Sequence, residues 1–131
     1  MVMVGYASYF GVDLSKEAIE QAKVNQNENT RFQVANAETF QLSECYDVIV
    51  FNEMMFYLRD PRGVFLRYAK HLRPGGIVII SMYRADNSLR MWRLLEGAAP
   101  IRDAVAVVNS TRGVTWDIKV YGEPGGSAAL D

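Results

Sequence analysis

Two short runs built wholly of apolar residues, Val48–Phe51 and Ile77–Ile80, set the strongest limit on the fold of this chain. Each is bounded by polar or turn-forming residues: Asp47 and Asn52-Glu53 around the first, Pro74-Gly75-Gly76 and Ser81 around the second. A run without polar alternation fits a parallel strand covered on both faces. Between the runs, Asp60-Pro61 supplies an N-cap followed by proline at the first helical position. Val64, Phe65, Tyr68, Ala69 and Leu72 then recur at helical spacing until Pro74-Gly75-Gly76 stops the helix. Strand, helix and strand in this order predict a parallel crossover.

The same alternation extends in both directions. Tyr9–Ser15 reads as a short buried strand that ends in a carboxylate, Asp13, and runs straight into a helix start. Ser15 caps a helix predicted from Lys16 to about Asn25, with Glu17 in its first turn and Ala18, Ile19 and Ala22 on one face. Arg31–Ala35 alternates as another strand, with Asn36-Ala37-Glu38 at its tip. Past Ser81, Asn87 or Ser88 caps a helix through Leu95 that Gly97 and Pro100 end. Ala104–Asn109 and Val114–Tyr121 are joined only by Ser110-Thr111-Arg112-Gly113, a link too short for anything but an antiparallel pair. The prediction is an α/β domain over residues 1–122 with a mostly parallel sheet closed by a β-hairpin. The glycine-rich tail 123–131 is predicted to be disordered.

With 131 residues, half of them apolar, the chain can bury one core. Fourteen basic and 15 acidic residues balance to −1, a charge that points away from nucleic acid and anionic membranes and toward small partners. The apolar runs are far short of the roughly 20 residues that cross a bilayer, and the expectation is a soluble, cytoplasmic protein. Cys45 and His71 each stand alone, so no metal site is predicted, and His71 reads as a cation near a helix C-terminus. Trp92 and Trp116 are expected to bury against the sheet. Arg84, Arg90, Arg93, Arg102 and Arg112 read as a scattered, solvated set.

Gly11-Val12-Asp13-Leu14-Ser15, Asn36-Ala37-Glu38, Tyr46–Glu53 and Leu72-Arg73-Pro74-Gly75-Gly76 before Ile77–Ile80 together resemble the class I S-adenosylmethionine-dependent methyltransferases, over about residues 5 to 122. The resemblance implies a Rossmann-like fold with S-adenosylmethionine as cofactor. It implies that Asp13 binds the ribose hydroxyls, Leu14 packs on the adenine, Asn36 accepts from the adenine amino group, and Ala37 offers its backbone N–H with Glu38 beside it. Asn52 and Glu53 would face the methionine portion and the reaction centre. Tyr57, Tyr83 and Arg84 are the candidates for contact with a small-molecule acceptor, and no catalytic base is assigned.

The chain also departs from the family pattern. The family's first strand and glycine-rich loop have no counterpart, since Met1–Ala7 is too short for strand, loop and helix together. That strand normally lies between the second and the fourth, so its absence predicts unpaired edges and, through them, a homo-oligomer. Three readings follow. One is a methyltransferase acting on a small molecule; another is a non-catalytic remnant of the fold serving as a binding or assembly module. A nicotinamide-dependent Rossmann enzyme is the third, and it explains neither the Leu72–Gly76 turn nor the closing hairpin.

Overall fold

The structure, a computed structural model, describes residues 7–126. Within the span read from sequence as one domain, contacts gather into two compact units, one ending at Gln41 and the other starting at Leu42. Each is described by itself.

The amino-terminal unit is a β-α-β crossover. Strand β1 (Tyr9–Asp13) leads into α1 (Lys16–Ala22), a 3-10 turn (Lys23–Asn25) and β2 (Thr30–Val34). Ser15 caps α1 as its sequence position predicts, its Oγ accepting from the Ala18 N–H at 3.1 Å. β1 and β2 pair in parallel, with Asp13 opposite Val34. Gly11 belongs to this packing: a Cβ there would lie 2.9 Å from the Phe32 ring, which itself packs at 5.8 Å on Tyr9.

The carboxy-terminal unit holds β3 (Tyr46–Asn52), α2 (Pro61–Ala69), β4 (Leu72–Tyr83), α3 (Ser88–Leu95), β5 (Ile101–Asn109) and β6 (Val114–Tyr121). Its sheet runs in the order β3-β4-β6-β5. The β3/β4 pair is parallel, and β6 lies antiparallel to both β4 and β5. The predicted hairpin therefore forms, with Gly113 taking the left-handed turn position at φ 66°.

The Leu-Arg-Pro-Gly-Gly segment does more than stop a helix. α2 already ends at Ala69, and β4 begins at Leu72 with a bulge. Tyr46 pairs with Leu72, but Val48 pairs with Ile77, so the residues between leave the ladder. Gly75 sits at φ 80°, and a Cβ on Gly76 would meet the Arg73 and Asp47 carbonyl oxygens at 2.9 and 3.0 Å. Arg73 Nη1 ties the bulge to Asp47 Oδ2 at 2.8 Å, and the Gly75 N–H donates to Glu123 Oε1. Glu123–Gly126, read from sequence as the start of a disordered tail, is a turn closed by Gly126 N–H to Glu123 O; residues 127–131 lie outside the described residues.

The core lies on one face of this sheet. Ile49 and Phe51 from β3, Val78, Ile80 and Met82 from β4, and Tyr121 from β6 share that face with Phe65 and Tyr68 of α2 and Trp92 and Leu95 of α3, all buried. Phe65 meets Tyr121 edge-on at 5.2 Å, and Phe51 meets Tyr68 at 5.4 Å. Lys119, on the same face, places Nζ 4.5 Å over the Trp92 ring. The opposite face differs from the expectation of strands covered on both sides. Val48, Val50, Val105 and Val107 there are between 46% and 54% exposed. Trp116 also lies on that half-exposed face rather than in the core. His71 keeps a structural role, its Nδ1 3.0 Å from the Glu44 carbonyl oxygen.

Two outcomes follow from this core. Phe65→Ala removes a fully buried ring and is expected to cost about 3 to 5 kcal/mol in urea unfolding. Burial, with the nearby charge of Glu96, pushes the Tyr121 phenol up to about 12 from its ordinary 10.0. A raised folded-state value contributes stability that is complete below pH 10 and lost as pH rises through about 12. Urea midpoints measured across that window should fall for the native chain and stay flatter for Tyr121→Phe.

Candidate functional site

In the amino-terminal unit the predicted residues gather at one end of one small sheet. Asp13 closes β1, and Asn36 follows the end of β2 closely, because parallel pairing brings both strands to the same edge. The Ala35 N–H donates to the Asp13 carbonyl at 3.0 Å, which extends the pairing to the strand tips. The exposed Asp13 carboxylate accepts the Ser15 N–H through Oδ1 at 2.7 Å, fixing its direction and leaving Oδ2 as an acceptor. Leu14 next to it is 72% exposed, an apolar side chain that this unit leaves in solvent. Asn36 folds its own tip: Oδ1 accepts from the Glu38 N–H at 3.0 Å, and its carbonyl accepts from the Thr39 and Phe40 N–H groups. Ala37 and Glu38 are half-buried in this turn. A strand-end carboxylate beside an apolar side chain and a turn with an amide oxygen can take a hydroxylated, flat ligand.

In the carboxy-terminal unit the ends of β3 and β4 hold the other candidates. Asn52 stands opposite Ser81, whose Oγ donates to Asn52 Oδ1 at 2.7 Å, and the Glu53 N–H donates to the Ser81 carbonyl at 3.0 Å. Glu53 has φ 54°, in the left-handed region that side chains other than glycine and asparagine adopt at a cost. Its carboxyl is held by the Tyr83 N–H, which donates to Oε2 at 2.7 Å. The other oxygen, Oε1, is buried without a hydrogen-bond partner among the described residues.

A hollow of about 260 Å³ opens beside this pair, lined by Asn52, Glu53, Ser81, Val107, Trp116 and Ile118. Sequence reasoning missed Ser81, Val107, Trp116 and Ile118. Their signal is the strand period: Trp116 and Ile118 are two apart on β6, and Val107 pairs with Trp116. Tyr83 packs edge-on to Trp116 at 6.0 Å. Tyr57, on the 3-10 turn Met55–Tyr57, is 82% exposed. Arg84 is engaged elsewhere: Nε and Nη2 grip the two carboxylate oxygens of Asp117 at 3.0 and 2.6 Å. That grip holds the Asp117 carboxyl below its ordinary value and raises the guanidinium's. Among the described residues no three His, Cys, Asp or Glu side chains converge as a metal-ligand set.

Comparison with known proteins identifies the family and the fold. A family model described as a methyltransferase domain matches residues 2–113. A malonyl-[acyl-carrier protein] O-methyltransferase of Ilyobacter polytropus is 26% identical over 91 residues, 68% of this chain and 35% of that enzyme. Phosphoethanolamine N-methyltransferase 1 of Triticum aestivum is 28% identical over 118 residues, 86% of this chain and 22% of that enzyme. The chain thus spans roughly a fifth to a third of the length of these two relatives. Among solved structures, the N-methyltransferase NodS of Bradyrhizobium japonicum WM9 superposes with a TM-score of 0.75 at 19% identity, covering 89% of this chain and 74% of that one. The same enzyme in complex with S-adenosyl-L-homocysteine gives a TM-score of 0.71. By its family match and its Rossmann-like fold, the chain belongs to the methyltransferase domain family, whose methyl donor is S-adenosylmethionine.

Proposed function

We propose that this chain binds S-adenosylmethionine and takes part in methyl transfer to a small-molecule acceptor. The observation that carries the reading is the edge formed by Asp13, Leu14 and Asn36–Glu38 at the carboxyl ends of two paired parallel strands, where open α/β sheets bind ligands. The residues fit the adenosine part of the cofactor. Asp13 Oδ2 can accept from a ribose hydroxyl while Oδ1 stays with the Ser15 N–H. Leu14 offers an apolar surface to a flat base. Asn36 Oδ1 keeps a second lone pair for an exocyclic amino group. When bound, the cofactor supplies a methyl group already activated on a sulfonium: the acceptor's lone pair forms the new bond to carbon, and the carbon–sulfur pair returns to sulfur.

With the donor so activated, what the protein contributes is orientation and exclusion of water. Asn52 and Glu53, fixed by Ser81 and Tyr83, are the candidates to face the methionine portion and the reaction centre. The relatives' names include both O- and N-methyltransferases, so the acceptor atom is not carried over from them.

Calorimetric titration with S-adenosylhomocysteine tests the reading. Binding is expected for the native chain, weakened about 10- to 100-fold by Asp13→Ala, as suits loss of hydrogen bonds to a charged acceptor. Asp13→Asn keeps an oxygen for the Ser15 N–H and reports binding separately from folding. Absence of binding by the native chain would favour the non-catalytic binding or assembly module instead.

Self-association belongs to the same proposal. Among the described residues, β3 has a hydrogen-bonded strand on one side only, and Val50 on it is half-exposed. An open strand edge of this kind pairs readily with another chain. Light scattering is expected to give a dimer or larger mass, reduced toward the monomer by Val50→Lys; a monomeric native chain would refute it.

A further inference from the structure

We infer that the hollow at the ends of β3 and β4 takes a small amine with an apolar body, its ammonium group received by Glu53. This deepens the proposed function, and rests on it only in assigning that amine to the methyl acceptor.

Three observations converge. First, among the described residues Glu53 is the only acidic side chain lining the hollow, and one of its oxygens is buried with no partner. A carboxylate oxygen taken from water without a donor is costly, so a donor that arrives with a positive charge gains the most there. Second, that carboxyl is held in place rather than loose: the backbone at residue 53 is left-handed, and the Tyr83 N–H fixes Oε2. Anchored through Oε2, the carboxyl keeps its charge at the wall of the hollow that Glu53 lines. Third, the neighbouring cation that could have paired with it does not. Arg84, next to Tyr83 in sequence, spends two of its donors on Asp117.

The rest of the lining defines the body of the ligand. Val107, Ile118 and Trp116 present apolar surface, and the Trp116 ring can also attract a cation. Asn52 and Ser81 are bonded to each other. One charged acceptor within a mostly apolar lining selects an organic cation over an anion or a sugar.

The test is a pair of titrations of the full chain followed by heteronuclear NMR shifts, with phenethylamine as probe and 2-phenylethanol as its neutral twin. Phenethylamine is expected to bind about tenfold tighter or more, and Glu53→Gln, which keeps an oxygen for the Tyr83 N–H, should bring the ratio close to one. Val107→Phe, which fills the hollow from a half-exposed position, should weaken both probes. Equal binding of the two probes by the native chain, or a preference that survives Glu53→Gln, would overturn the inference.

The cofactor itself carries an ammonium group, and a second arm separates that source. Methylthioadenosine lacks the group and S-adenosylhomocysteine has it. If Glu53→Gln weakens only S-adenosylhomocysteine while the native chain shows no amine preference, Glu53 serves the cofactor and the amine proposal falls. If S-adenosylhomocysteine fails to bind while the amine preference stands, the cofactor reading falls and the amine site remains.

Discussion

Strand β4 is the element on which the carboxy-terminal unit depends. From Val78 to Ser81 its backbone is paired on both sides, in parallel with β3 and antiparallel with β6, so those N–H and C=O groups are satisfied without water. Its buried residues Val78, Ile80 and Met82 form the middle of the core under α2 and α3. The same strand reaches the site: Ser81 and Tyr83 at its end hold Asn52 and Glu53. Packing and chemistry thus share one scaffold. A shift of β4 by one residue would turn Val78, Ile80 and Met82 out of the core and remove both hydrogen bonds from the site.

The locally encoded parts of the fold were legible in the residues. Ser15 and Asp60-Pro61 mark helix starts through hydrogen bonds that span only three residues, and both caps form. The short link Ser110–Gly113 allowed one pairing geometry, and that geometry is present. The methyltransferase resemblance, resting on short motifs in order, agrees with the family match. Asp13 and Asn36–Glu38 meet at one sheet edge because parallel strands bring their ends together.

What escaped the sequence had no local signature. A continuous apolar run such as Val48–Phe51 reads the same whether one face or two are covered, and here one is. Pro74-Gly75-Gly76 reads as a stop, although the chain passes through it as a bulge in a strand already begun at Leu72. Trp116 reads from its hydrophobicity as burying against the sheet, whereas its parity on β6 sets it on the half-exposed face opposite the core. Arg84 looked available for an acceptor, but Asp117, distant in sequence, takes its guanidinium. The left-handed backbone of Glu53 carried no glycine or asparagine to announce it.

That last conformation sets stability against usefulness at a single position. Glycine would occupy φ 54° without the steric cost that a glutamate side chain incurs there. A programme that selected variants for thermal resistance alone would therefore have a reason to accept glycine at residue 53, and would delete an acidic side chain that lines the hollow by doing so. Hardening of this domain is better sought at α1, α2 and the hairpin turn, where local conformation and burial already agree.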